Sequence, residues 1–247
     1  MPLDFLGYVL AGFLAQLIDG ALGMAYGVTA SSMLLTFGIP PAATSATVHA
    51  AECLTTGASA VSHHAFGNID RALLRRLLLP GILGAVLGAT ILVHLPGDRL
   101  RPYVAAYLLV MGCVIVLKAF RSFPPRQVTT HLAPLGFFGA LVDAIGGGGW
   151  GPIVATTLVA RGNDVRRTIG TVNAVEFFVT VAASVTFFLA LGLTHWRVIA
   201  GLALGGVLAA PLAAWACRHV PAKPFLILVG LLVISLSTRT LVLHFAG

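Results

Sequence analysis

Four carboxylates lie inside apolar stretches of the chain, and they are the residues best suited to do chemistry there. They are Asp19, Glu52, Asp143 and Glu176, half of the eight acidic residues. A charge at membrane depth costs about 3 kcal/mol or more unless it is paired, protonated or hydrated. Each Glu can therefore carry a proton or hydrogen-bond another segment. Each Asp can do the same or accept hydrogen bonds from backbone freed at a helix break.

The two glutamates belong to polar stripes with helical spacing. Around each Glu, residues spaced three and four apart lie on one face of a helix. In the first stretch these are Ser45, His49, Glu52 and Thr56. In the second stretch they are Ile169, Asn173, Glu176 and Thr180. Such a stripe predicts a helix face that contacts the protein interior or a wet cavity rather than lipid. His49 is the one histidine in such a stripe, and it does not supply enough ligands with one Glu to predict a metal site.

An internal repeat accounts for the matching positions of these residues. With a shift of 124 residues, residues 12–60 align with residues 136–184 at 15 identities in 49 positions, including Asp19 with Asp143 and Glu52 with Glu176. The chain is therefore predicted to be two repeats, residues 1–123 and 132–247, joined by a connecting loop at residues 124–131.

The composition predicts an all-α integral membrane protein. Of the 247 residues, 58% are hydrophobic and 9% are charged, against about 25% charged in soluble domains. The 15 Lys and Arg cluster at helix ends, which indicates a topology signal at a lipid surface rather than a nucleic-acid partner. The motifs HExxH, GxSxG and Walker A are absent, so we predict no enzyme activity and no cofactor.

Each repeat is predicted to hold a glycine-broken helix pair and three further helices. The broken stretches are residues 5–37 and 132–161, and the helices are residues 42–65, 72–95, 100–121, 165–191, 196–219 and 224–245. A 33-residue helix would be about 50 Å long, too long for a hydrocarbon core of about 30 Å. The glycines at Gly23–Gly27 and Gly146–Gly149 predict where each stretch breaks.

The basic residues predict how the repeats are oriented. If each broken stretch folds back, eleven basic residues lie on one side, namely Arg71, Arg75, Arg76, Lys118, Arg121, Arg126, Arg161, Arg166, Arg167, Arg218 and Lys223. Four lie on the other side: Arg99, Arg101, Arg197 and Arg239. Because cytoplasmic loops collect Lys and Arg, this split predicts inverted repeats with both termini outside.

The segments Gly12–Glu52 and Gly136–Glu176 resemble the TauE/SafE sulfite exporter family, also called the four-toluene-sulfonate uptake family. The strongest likeness is in GGGGWGP (residues 146–152) and GTVN (residues 170–173), and the duplicated layout extends it over the whole chain. The resemblance implies a multi-pass protein of the bacterial inner membrane that moves sulfite, sulfoacetate or related organosulfonates. The first copy differs, with ALGMAYG at residues 21–27 and His49 opposite Asn173.

Helix pieces that begin near the breaks would direct backbone N–H groups at a shared midplane site for an anion. The predicted substrate site comprises Gly27, Ser45, Thr47, His49, Gly149, Gly151, Thr171 and Asn173. We expect Thr47 and Thr171 to approach one another from opposite copies. We also expect His49 to make the site asymmetric and to tighten anion binding at lower pH.

The sequence thus predicts a secondary transporter of small sulfur-containing anions, with Glu52 and Glu176 as candidates for proton coupling. Its predicted partners are a small anionic solute and the lipid bilayer. The alternative is a cation or divalent-metal transporter in which the four buried carboxylates are ligands. The predicted site contains no Lys or Arg, which favours the alternative.

Overall fold

The computed structural model describes residues 4–120, 130–192, 195–217 and 222–246. These residues form α-helices and one π-helical turn, so the all-α prediction is confirmed. The helices are α1 Phe5–Leu22, α2 Tyr26–Thr36, α3 Pro41–Ala65, α4 Arg71–His94, α5 Gly97–Lys118, α6 Leu132–Gly146, α7 Thr156–Ala160, α8 Val165–Leu191, α9 Trp196–Ala216 and α10 Ala222–Ala246. The π-helical turn, Gly151–Ala155, directly precedes α7.

In this part of the chain, six helices are long and apolar enough to cross a membrane. They lie in α1, α4, α5, α8, α9 and α10. Their outward faces carry large apolar side chains at helical spacing, for example Leu83 and Leu87 on α4 and Leu204, Leu208 and Leu212 on α9. Exposed apolar faces of this kind fit a lipid environment.

Helix α3 is more polar than these six, and its polar side chains contact protein. Its stripe residues Ser45, His49, Glu52 and Thr56 are all buried. It packs against α8, the helix at the matching position of the second repeat. A polar helix in the middle of the bundle agrees with the predicted position of the stripes.

Three of the acidic residues outside the apolar stretches cap helices. The side chain of Asp4 accepts from Gly7 N, and that of Asp70 accepts from Ala72 N and Leu73 N. The side chain of Asp164 caps α8 in the same way. These carboxylates satisfy backbone donors at helix N-termini.

Small residues let two pairs of helices pack at backbone distance. Helix α1 packs on α9 and helix α6 packs on α4. A methyl group on Gly12 would lie 2.7 Å from the Leu202 Cα, and one on Gly84 would lie 2.9 Å from the Phe137 carbonyl carbon. Close packing through glycine is the usual way for helices to associate in lipid.

Three contacts fix the directions of the segments. Helices α3 and α8 run antiparallel, because Cys53 contacts Ser184 while Ser59, further along α3, bonds Asn173, nearer the start of α8. The Arg161 guanidinium donates to Thr130 O at 2.9 Å. The stretch from α6 to α7 therefore begins and ends at the same end of the bundle.

The first broken stretch follows the same path. Tyr8, near the start of α1, and Thr36, at the end of α2, line one cavity together with Trp196 at the start of α9. The two ends of the α1–α2 stretch are therefore near each other. Most of the connecting loop and the basic residues Arg121, Arg126 and Arg218 lie outside the described residues.

Candidate functional site

Both broken stretches leave the helix at a glycine in the left-handed conformation. Gly23, after α1, has φ 71°, and Gly147, after α6, has φ 69°. The N–H of Gly23 donates to Asp19 O at 2.6 Å, and the N–H of Gly147 donates to Asp143 O. Glycine ends a helix in this way at no steric cost. The first break is shorter than predicted, because α2 already begins at Tyr26.

The buried aspartates bridge each break by capping the second helical piece. The Asp19 Oδ1 accepts from Tyr26 N at 3.4 Å, and the Asp143 Oδ1 accepts from Trp150 N at 3.0 Å. Both side chains are almost fully buried. A carboxylate at a helix N-terminus is stabilised by the free N–H groups and by the helix dipole. At the start of each second piece, one backbone N–H is therefore already bonded to a carboxylate of the protein.

The two breaks meet each other in the middle of the bundle. A methyl group on Gly27 would lie 2.7 Å from the Gly148 Cα, and one on Gly151 would lie 2.7 Å from the Met24 Cα. The contact is thus reciprocal, since the piece that follows each break begins against the other break. Backbone this close requires glycine at both positions.

A tyrosine that the sequence analysis missed holds the second break. The Tyr107 hydroxyl, on α5, donates to Gly148 O at 2.9 Å, and its ring contacts Gly146. On the other side, the Ser31 hydroxyl donates to Gly147 O. Because tertiary packing brings Tyr107 to a break that is 41 residues away in sequence, no local pattern could have identified it.

His49 links the first repeat to the second break. Its Nε2 lies 3.2 Å from the Asp143 Oδ2, and its Nδ1 lies 2.8 Å from Ser45 O. The Ser45 hydroxyl donates to Ala144 O at 2.6 Å. A protonated His49 would therefore form an ion pair with Asp143 in this conformation. Ser45 and His49, two of the side chains predicted to bind the solute, are thus engaged within the protein.

Glu52 and Glu176 lie on the faces of α3 and α8 that contact the breaks. Their exposed fractions are 2% and 6%. The Glu52 Oε1 lies 3.0 Å from the position that a Cβ on Gly27 would take. Both glutamates are close enough to Asp19 and Asp143 to interact electrostatically. Next to them, the hydroxyls of Thr56 and Thr180, which the repeat aligns, lie 3.4 Å apart.

The structure does not bring Thr47 and Thr171 together, so that prediction is wrong. Each lies near the start of its helix, and the two helices are antiparallel, which places these threonines toward opposite ends of the bundle. The Thr47 hydroxyl donates to Ala43 O, and the Thr171 hydroxyl donates to Arg167 O and accepts from Asp70 N. The Asn173 side chain bonds Ile169 O and the Ser59 hydroxyl.

The sequence analysis also missed a cation beside the first break. Lys118 was assigned to the basic residues that set the topology, yet its Nζ lies 3.6 Å from the Met24 Sδ. Lys118 is half-buried, and Met24 is completely buried. Long Lys side chains at helix ends commonly extend along apolar surface, and here the ammonium group extends inward. Lys118 is not one of the predicted site residues, but it places a cation next to the first break.

Within the described ranges, no three His, Cys, Asp or Glu side chains come together in an arrangement that could hold a metal ion.

Comparisons with known proteins agree with this architecture. The family model for Sulfite exporter TauE/SafE matches residues 8–240. The chain is 42% identical over 245 residues to the Probable membrane transporter protein YtnM of Bacillus subtilis (strain 168). The aligned region covers 95% of this chain and 82% of that protein. The chain is also 28% identical over 233 residues to the Probable membrane transporter protein ORF9 of Sinorhizobium sp. Here the aligned region covers 91% of this chain and 86% of that protein. No solved structure matches the chain.

A chain whose long apolar helices surround two glycine breaks, and which matches this family model over nearly its whole length, belongs to the TauE/SafE sulfite exporter family and is a multi-pass membrane transporter.

Proposed function

We propose that this transporter moves small sulfur-containing anions, such as sulfite, sulfoacetate or other organosulfonates, by proton-coupled secondary transport. The reciprocal contact of the two breaks is the observation that carries the proposal. It places unwound backbone, two helix N-termini and buried carboxylates at one point inside the bundle. Sites of secondary transporters are typically built from such discontinuous helices where two repeats meet.

The proposal includes inverted repeats in a bacterial inner membrane with both termini outside. The antiparallel course of α3 and α8 supports the inversion, because these helices occupy matching positions in the two repeats. In each broken stretch the beginning and the end lie near each other, which supports a stretch that enters and leaves the membrane on the same side. Rocking of one repeat against the other would then expose the breaks alternately to the two sides.

The charges near the breaks favour an anion accompanied by a proton. Buried carboxylates repel an anion while they are ionised, so protonation of Glu52 or Glu176 would remove that repulsion. Two cationic or potentially cationic groups lie beside the breaks: Lys118 contacts Met24 in the first break, and His49 contacts Asp143 beside the second break. Proton uptake and anion binding would therefore favour each other.

The contacts with solute are proposed at Gly27, Gly149 and Gly151, where side chains are absent, and at Ser45, His49 and Asn173. In this conformation the neighbouring hydroxyls of Ser45, Ser31 and Tyr107 donate to backbone carbonyls. Their acceptors are the carbonyls of Ala144, Gly147 and Gly148, respectively. Opening of the second break would release these donors toward an anion. We assign no solute contact to Thr47 or Thr171, since these threonines lie toward opposite ends of the bundle.

Flux in proteoliposomes tests this function. Sulfite and sulfoacetate uptake should be driven by an imposed pH gradient, and Glu52→Gln or Glu176→Gln should abolish the dependence on that gradient. Asp4→Asn is the matched control, because it makes the same chemical change at an exposed helix cap. Uptake of a divalent metal without anion uptake would instead establish the alternative, and unchanged pH dependence in both Gln variants would make the glutamates structural.

A further inference from the structure

A cavity at one end of the bundle concentrates positive charge away from the glycine breaks. Its volume is about 1010 Å³, and it lies between the starts of α1 and α9 and the ends of α2 and α10. Its lining includes Tyr8, Thr36, His195, Trp196, Arg197 and Arg239. We refer to it as the arginine cavity.

The lining of the arginine cavity is basic and, over the residues that the structure describes, contains no carboxylate. Arg197 and Arg239 come from different helices and are both exposed. Two cations in a concave site lined by low-dielectric protein raise the local concentration of anions well above that in bulk solution.

Each of the two exposed arginines makes one contact with the protein. The Arg239 guanidinium donates to Thr36 O at 3.3 Å and so caps the C-terminus of α2. The Arg197 guanidinium lies over the Trp196 ring, 5.6 Å from its centroid. Both contacts limit side-chain motion, so less entropy is lost when an anion binds.

A series of hydroxyls on α2 and α10 runs from the cavity toward the second break. The Thr36 and Thr240 hydroxyls lie 3.1 Å apart at the cavity, and the Ser32 and Ser237 hydroxyls lie 3.3 Å apart one turn further in. Ser31, next along α2, bonds the Gly147 carbonyl of the break. Hydroxyls can donate to an anion at membrane depth without a buried charge.

We propose that the arginine cavity is a second anion site, in which Arg197 and Arg239 hold a sulfonate or sulfite-type oxyanion at the end of the hydroxyl path. The site rests on the proposed function for the identity of its ligand. Because the cavity is large, it selects its ligand by charge rather than by shape. Binding is therefore weak, and the ligand exchanges fast. A phospholipid headgroup offers the same oxyanion chemistry, but the hydroxyl path continues to the break, where a lipid could not follow.

Trp196 reports occupancy of the cavity independently of transport. In a Trp215→Phe background, Trp196 is the exposed indole, because Trp150 is completely buried. Iodide should quench Trp196 more strongly than neutral acrylamide does, and sulfoacetate at constant ionic strength should compete with iodide. Arg239→Gln and Arg197→Gln should each weaken this competition by about tenfold.

Two controls separate charge from structure. Arg99→Gln removes the same charge from an exposed arginine outside the cavity and should leave the competition unchanged. Arg239→Lys keeps the charge and should restore most of the competition. Vesicles of phosphatidylcholine, with and without phosphatidylglycerol, distinguish the ligand sources. Competition that only phosphatidylglycerol produces would identify a lipid headgroup and overturn the proposal.

Flux measurements distinguish failure of this site from failure of the proposed function. Arg239→Gln should raise the KM for sulfoacetate by about tenfold with little change in the maximal rate. Sulfoacetate flux in the parent without any competition at Trp196 would reject the arginine cavity alone. Competition at Trp196 with no sulfur-anion flux would support an anion site and reject the transport proposal.

Discussion

The two breaks reach the same geometry with different residues. In the second break, the positive φ angles of 69°, 154° and 158° all belong to glycines, Gly147 to Gly149. In the first break, Gly23 has φ 71°, but Ala25 adopts φ 131°, a conformation that a residue with a Cβ rarely takes. Each break is nevertheless bridged by an Asp seven residues before the backbone N–H that it binds.

The pieces that follow the breaks also differ. Helix α2 is regular, and Arg101 and Arg239 donate to its last carbonyls. The equivalent piece in the second repeat begins as a π-helical turn containing Pro152 and ends with the Asn163 amide on Leu158 O. The comparison indicates that the Asp cap and the glycine contact define the break, whereas the termini vary, and π-helical turns are frequent at functional sites.

The largest expected effect comes from filling the glycine contact in the second break. In Gly148→Ala, the new methyl group would meet the backbone of Gly27 and Val28, which cannot move independently. We expect a loss of about 3 kcal/mol or more in the free energy of unfolding. The thermal midpoint of detergent-purified protein measures this loss. Gly97→Ala, with its nearest neighbour at 3.7 Å, should be close to neutral, and equal midpoints for both variants would contradict the contact.

Replacing either capping aspartate should lower the stability less than Gly148→Ala does, and by different amounts for the two aspartates. Asp143→Asn weakens the cap on Trp150 N and the contact with His49, whereas Asp19→Asn weakens only the cap on Tyr26 N. We expect about 1–3 kcal/mol of destabilisation for Asp143→Asn and less for Asp19→Asn. Thermal unfolding of both variants beside His49→Ala tests the ranking. A greater loss in Asp19→Asn would mean that the first break depends more strongly on its carboxylate.

The smallest effect is a gain of stability in the first break. In Ala25→Gly, the strain of φ 131° is relieved, and the greater freedom of glycine in the unfolded chain offsets part of the gain. The net stabilisation should be up to about 1 kcal/mol. A thermal midpoint below that of the parent would show that the Ala25 methyl group contributes packing that exceeds the strain.

The sequence predicted the parts of the site that depend on local pattern. Glycine spacing and the 124-residue shift identified both breaks, Asp19 and Asp143, because backbone freedom and capping are properties of neighbouring residues. Lys118, Tyr107 and Arg239 were not identified as site residues, since each reaches its partner by tertiary packing from α5 or α10. The predicted inversion of the repeats implies that α3 and α8 are antiparallel, but the sequence does not give their register, and the register shows that Thr47 and Thr171 are apart.

The close pairing of α1 with α9 has a consequence for how the protein is made. Gly12 and Gly205 allow α1 to contact α9 at backbone distance, and α4 is likewise paired with α6. At roughly 5–20 residues per second of synthesis, α1 waits on the order of ten seconds in the bilayer before its partner leaves the ribosome. Neither half of the polypeptide can complete its own packing, so two halves produced from separate messages should accumulate stably only when they are synthesised together.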